Sequence, residues 1–191
     1  MDTRLWRALL PLSASLFVAV ACGSAKTRPA EEPGLGPEER SPADVAKEEE
    51  AGRLMGQGGF AASDGDDEKA LSLYLDAARI LDGLGRVTVD RGEAHFLAGE
   101  VAEKLYKNAL ALEHFEKAVD IYLRFSGNSK IKAANALANM GAIHKQTGAL
   151  GKARDCWTRA LNIYKASPPE YRNSRNMGKI EQNLRDLSSG Y

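Results

Sequence analysis

The chain has 191 residues, enough for one ordinary domain with a short extension. Its 26 Lys and Arg are balanced by 26 Asp and Glu, which argues against the strongly basic character of a nucleic-acid-binding domain. Two cysteines, Cys22 and Cys156, are too few and too far apart to form a disulfide framework.

Residues 1–21 read as a signal peptide. Arg4 and Arg7 give a positive start, and Leu9 to Val20 is a short apolar run. The run is shorter than the ~20 apolar residues that span a bilayer, but it fits the core of a secretory signal. Ala19-Val20-Ala21 supplies the small-residue cleavage site. Two outcomes are open after cleavage: release, or lipidation at Cys22. Ala19-Val20-Ala21-Cys22 resembles the bacterial lipobox, with Ala19 in the slot where Leu is usual. That resemblance implies a diacylglycerol on the Cys22 thiol. Gly23 follows, not the Asp associated with inner-membrane retention. For a Gram-negative host this implies an outer-membrane lipoprotein facing the periplasm.

Residues 22–43 are expected to be the lipidated cysteine and a disordered tether. They hold Pro29, Pro33, Pro37 and Pro42, one large apolar residue, Leu35, and no aromatic. Such a stretch cannot bury enough surface to offset its ordering entropy. About 20 residues at full stretch reach roughly 65–70 Å, a useful spacer between membrane and domain. Cleavage removes two basic residues and one acidic residue from a balanced chain. The remaining net charge of about −1 gives no general attraction to acidic surfaces.

The rest of the chain repeats. From Gly58, Gly99 and Gly141 as anchors, Ala70, Ala111 and Ala153 follow at one common offset. An aromatic comes next: Tyr74, Phe115 and Trp157. Then come Ala77, Ala118 and Ala160, and finally Ile80, Ile121 and Ile163. The steps between these positions are four, three and three residues, which trace one face of a helix. Small residues on that face let a neighbouring helix approach, and the aromatic fills the groove. Asp64-Gly65 and Thr147-Gly148 mark turns between paired helices, with the weaker Lys107-Asn108 in the second unit.

This pattern resembles the tetratricopeptide repeat. Leu137, Gly141, Gly148, Ala153, Trp157 and Ala160 carry the resemblance most clearly, and it extends over about residues 45–188. The spacing of 41 and 42 residues between anchors is similar to the longer variant in kinesin light chains. The resemblance implies an all-α, right-handed solenoid of three helical hairpins over residues 44–188. The hairpins are expected at about 44–83, 89–126 and 130–166, with a capping helix at about 172–187. Gly56, Gly58 and Gly59 lower helix propensity by about 1 kcal/mol each, so the first helix is expected to be irregular. Met177, Ile180, Leu184 and Leu187 lie on one face of the last helix, suited to seal the third hairpin.

No catalytic constellation is evident, and no cofactor or metal is expected. His95, His114 and His144 lack metal-ligand spacing. His95 and His144 occupy helix-packing slots, and His114 is expected to be exposed. Ser63 to Glu68 is acidic but lacks the EF-hand order, so it reads as a turn running into a helix start. Gly56-Gln57-Gly58-Gly59 lacks the Lys-Ser/Thr of a phosphate loop. Cys156 beside Trp157 reads as an inert core cysteine.

The family resemblance implies a protein-binding groove on the first helices of the hairpins. Its slots fall on Met55 in the first unit, and on Phe96, Glu100 and Glu103 in the second. In the third they fall on Asn135, Ala138, Ala142 and Lys145. Gly52 and Gly59 stand where the chaperone-binding subgroup carries Lys and Asn, so its clamp for acidic tails is missing. The expected function is a non-enzymatic, membrane-anchored adaptor for protein partners in the bacterial cell envelope. Two alternatives are a periplasmic protein holding a small apolar ligand near Met55 and Phe60, and an accessory subunit of a cell-wall enzyme.

Overall fold

The computed structural model describes residues 40–189. The signal-peptide and lipidation readings, and most of the tether, fall outside the described residues. Within them seven α-helices follow in order: α1 (Pro42–Ser63), α2 (Asp67–Gly83), α3 (Val89–Lys104), α4 (Asn108–Tyr122), α5 (Asn128–Gln146), α6 (Leu150–Ala166) and α7 (Ser174–Ser189). A 3-10 turn, Pro169–Tyr171, separates the last two. The helices pair as α1/α2, α3/α4 and α5/α6, each pair packs on the next, and α7 packs on α6. This is an all-α solenoid of three hairpins with a capping helix.

Two local expectations are corrected. First, α1 runs unbroken to Ser63, despite Gly56, Gly58 and Gly59. Tertiary packing overrides propensity here, because Ala51, Gly58 and Ala61 are buried against the rest of the hairpin. Second, α1 starts at Pro42, inside the segment read as tether. Ser41 caps it by accepting the Asp44 N–H at 3.1 Å, and Pro42 in the first turn has no N–H to leave unpaired.

Each hairpin is locked by its anchor glycine. A β-carbon on Gly58 would come within 2.6 Å of the Tyr74 ring, and one on Gly99 within 2.8 Å of Phe115. On Gly141 it would collide with the indole nitrogen of Trp157. Tyr74, Phe115 and Trp157 are all buried. The recurring glycine and aromatic are thus the two halves of one interhelical contact. The burial of each ring contributes roughly 1.5–3 kcal/mol.

Seven residues after each anchor the chain turns through the left-handed region. Gly65 (φ +84°) and Gly148 (φ +78°) do so without steric cost, but the second hairpin uses Tyr106 at φ +58°. Tyr106 is 78 % exposed, so packing does not compensate the strain. Lys104 pairs with Asp67 at 2.7 Å and Lys107 with Glu68 at 2.6 Å, tying this turn to the one before it.

The two ends of the array differ. Ile180 of α7 is 2 % exposed, and Met177, Leu184 and Leu187 pack beside it on the core. At the other end, Phe60 is 76 % exposed. It stands two residues after its anchor, the slot that holds buried Val101 and Ile143 in the next hairpins. Those two are packed in the core, whereas Phe60 lies largely open among the described residues.

Candidate protein-binding groove

In a stacked hairpin array the first helices share one surface, here α1, α3 and α5. α3 touches both of its neighbours. Met55 is half-buried on α1 and rests on the core. Phe96 is half-buried on α3, its ring centroid 5.7 Å from Phe115 and 6.5 Å from Tyr122. Glu100 follows four residues later and Glu103 three after that, so the three share a helical face. Ala138 is half-buried on α5 and Ala142 is exposed. The Ala138 carbonyl accepts the Trp157 indole N–H at 3.1 Å, which links this surface to the Gly141 contact.

The structure already engages two of the named third-unit side chains. Asn135 accepts from the Tyr164 hydroxyl and, at 3.2 Å, from Asn176 on α7. Lys145 reaches Asn183 on α7 at 3.3 Å and lies 5.9 Å from the centre of the Trp157 ring. With Asn176 beside Asn135 and Asn183 beside Lys145, α7 runs alongside α5, in the seat of a fourth hairpin's first helix. The accessible part of the surface is therefore α1, α3 and the Ala138–Ala142 stretch of α5.

Charge on this surface is uneven. Glu93 lies six residues before its anchor, the slot of Gly52 and Asn135, yet sequence reasoning passed over it. Its carboxylate accepts the Tyr122 hydroxyl and the Lys132 ammonium, each at 2.6 Å. Burial, with the nearby charges of Glu93 and Glu103, pushes the Glu100 carboxyl up to about 7. One side of Glu100 remains open to water, so solvent screens part of this effect. Burial also raises Glu103. Neither has a cation paired with it among the described residues. Lys104 and Lys107 are committed to Asp67 and Glu68, and Lys132 to Glu93.

The face of α1 turned to this surface is nearly bare. Gly52 and Gly56 have open space where a β-carbon would stand, and Gly59 has only the Tyr74 hydroxyl, at 3.8 Å. Beside Met55 is a small cleft of about 210 Å³, lined by Arg40, Glu48, Gly52, Leu81, Thr88 and Asp90 among others. Its wall mixes charged and apolar side chains, and exposed Phe60 does not contribute to it.

The histidines give another correction. His114 is buried, 6 % exposed, not exposed as expected. Its Nδ1 lies 3.0 Å from Nδ1 of His95, whose Nε2 lies 3.1 Å from Oδ1 of Asp82. The two slots hold Leu54 and Leu137, and Leu73 and Cys156, in the other hairpins; that comparison carried the signal of burial. Hydrogen bonding fixes the tautomers. His95 donates from Nε2 to the carboxylate, so its Nδ1 accepts from Nδ1–H of His114. Burial and the neighbouring His95 hold the His114 pKa down at about 4. Burial also lowers His95, against the pull of Asp82. Burial of Asp82 is outweighed by hydrogen bonds from His95 and Arg91, which keep it ionised. Half-buried His144 makes no comparable chain. Burial raises the Cys156 thiol, consistent with an unreactive side chain. Among the described residues, no group of three or more His, Cys, Asp or Glu is placed to hold a metal ion.

Residues 88–166 match the tetratricopeptide-repeat family model. No curated protein sequence matches the chain. Solved structures with a similar fold include the N-terminal domain of stress-induced protein-1 from C. elegans (19 % identity, TM-score 0.57, covering 72 % of this chain and 97 % of that one). The Rap conjugation gene regulator of plasmid pLS20, in complex with the Phr* peptide, is similar at 18 % identity and TM-score 0.59, with 84 % of this chain and 44 % of that one covered. The C-terminal tetratricopeptide-repeat domain of a Plasmodium falciparum FK506-binding protein matches at 15 % identity and TM-score 0.56, covering 77 % and 94 %. At such identities the likeness is one of fold. The chain carries tetratricopeptide repeats, with the family's sequence pattern over its second and third hairpins and the family's helical-hairpin fold across the domain.

Proposed function

We propose that this chain is a non-enzymatic adaptor whose α1–α3–α5 surface binds a protein segment in the bacterial cell envelope, held to the membrane by a lipid on Cys22. A tetratricopeptide-repeat fold supports a role in protein–protein interaction. The observation that carries the reading is the surface itself: half-buried Phe96 on α3 and Ala138 on α5, with half-buried Met55 on α1 set in the bare Gly52–Gly56–Gly59 face. Apolar anchors with nearby uncovered backbone suit an extended chain. The solved Rap structure shows a related fold in complex with a peptide. The lipobox-like residues before Cys22 support the anchor, and Gly23 supports outer-membrane placement facing the periplasm.

Two experiments test the proposal. Ala142→Trp places bulk on the exposed floor without touching the core. Pull-down from detergent-solubilised membranes is expected to lose partners with this variant and keep them with the wild type. Identical recovery from both would rule out the groove. Metabolic labelling with a palmitate analogue is expected to mark the wild type and not Cys22→Ala. Labelling of both, or of neither, would overturn the anchor.

A further inference from the structure

We propose that the groove selects a cationic segment, taking a lysine or arginine side chain across Phe96 and onto the carboxylates of Glu100 and Glu103. This rests on the groove reading above and adds the chemistry of the partner. The three residues lie at successive turns on one face of α3, apolar first and acidic after. A lysine or arginine has the same order, an apolar stem and then a charged head. The stem would cover the open part of the Phe96 ring, and the head would make charge-assisted hydrogen bonds to the carboxylates.

The surrounding charges favour this occupant. On α3, Glu93 is satisfied by Tyr122 and Lys132, whereas Glu100 and Glu103 have no paired cation among the described residues. On α5, Lys132 points to Glu93 and Lys145 to α7 and Trp157. On α1 the slots facing them are Gly52, Met55 and Gly59, and the nearby cations Arg40 and Arg86 are both paired with Glu48. An acidic segment would meet two uncompensated carboxylates, and a neutral one would leave them partly desolvated and unpaired. Burial, with the charges of Glu93 and Glu103, raises the Glu100 carboxyl. A bound cation favours the ionised form, so binding releases a proton and tightens as pH rises through about 7.

The test uses the full chain in detergent micelles and two fluorescein-labelled peptides. One is built from lysine, serine and leucine, and the other replaces every lysine with glutamate. Fluorescence anisotropy is expected to show binding of the lysine peptide alone. Glu100→Gln with Glu103→Gln is expected to weaken it by about tenfold or more. Glu113→Gln with Glu116→Gln changes net charge equally on exposed positions of α4, outside the groove, and is expected to leave binding unchanged. Equal weakening by both pairs would mean a general field, and would overturn the proposal. Binding of the glutamate peptide, abolished by Ala142→Trp, would keep the groove and overturn the cationic preference. Binding of neither peptide would overturn both.

Discussion

The indole of Trp157 lies on the backbone of Gly141, and its N–H donates to the carbonyl of Ala138 three residues earlier. The side chain that fills the hairpin also holds the helix that forms the groove. Gly141→Ala is expected to destabilise the domain by about 2 kcal/mol, although alanine is the better helix former by about 1 kcal/mol. Gly56→Ala has open space and is expected to stabilise by about 0.5–1 kcal/mol. Urea denaturation of the two variants compares them directly. Equal shifts of the same sign would refute the close-approach account.

Tyr106 is expected to behave as a strained residue. Tyr106→Gly removes an exposed ring and restores the residue type of the sister turns at 65 and 148. It is expected to stabilise by about 1 kcal/mol, the cost of a left-handed conformation with a side chain. A loss of stability on thermal melting would show that the exposed ring has an unrecognised packing role.

The histidine chain predicts acid sensitivity. The His114 pKa is about 4 when folded, against about 6.5 for a free histidine. Between these values the unfolded chain binds more protons. The contribution is therefore fully present above pH 6.5 and is lost as pH falls towards 4, on the order of 2 kcal/mol. Glu100 acts in the opposite sense. Its folded pKa of about 7 lies above the free value, so its contribution favours the folded state at low pH and is lost as pH rises through 7. The two partly cancel. Glu100→Gln is expected to steepen the loss of stability on acidification, and His114→Leu to flatten it. Stability of each variant against pH, measured by denaturant titration, would sink this account if the slopes did not separate.

Ile180 is expected to hold the capping helix in place. Ile180→Ala should cost about 2–4 kcal/mol. Ile180→Glu should release α7, making the connection around Pro168–Tyr171 a site of rapid proteolysis and promoting self-association. Limited proteolysis with light scattering would detect both. A variant as protease-resistant and monomeric as the wild type would contradict the sealing role.

The fold was legible because its contacts recur. Glycine, alanine and aromatic residues at fixed offsets are a direct record of helices touching, so three copies define both the pairing and the stacking. Departures from the repeat were harder to read. His114 looked like an exposed polar residue until its slot was compared with Leu73 and Cys156. The glycines of α1 suggested weakness because propensity is local, whereas the packing that holds the helix comes from α2. In the groove, Phe96, Glu100 and Glu103 could be placed by slot. Which charges were already paired depended on partners 29 and 39 residues away from Glu93, Tyr122 and Lys132, and spacing within one repeat does not show these.

The seating of α7 beside α5 gives the array a polarity. At one end a helix of the chain's own sequence fills the next position. At the other, among the described residues, Phe60 stands exposed in the slot that holds buried Val101 and Ile143 in the next hairpins. Among the described residues, a second chain would therefore meet an open aromatic ring at the α1 end and a covered core at the α7 end.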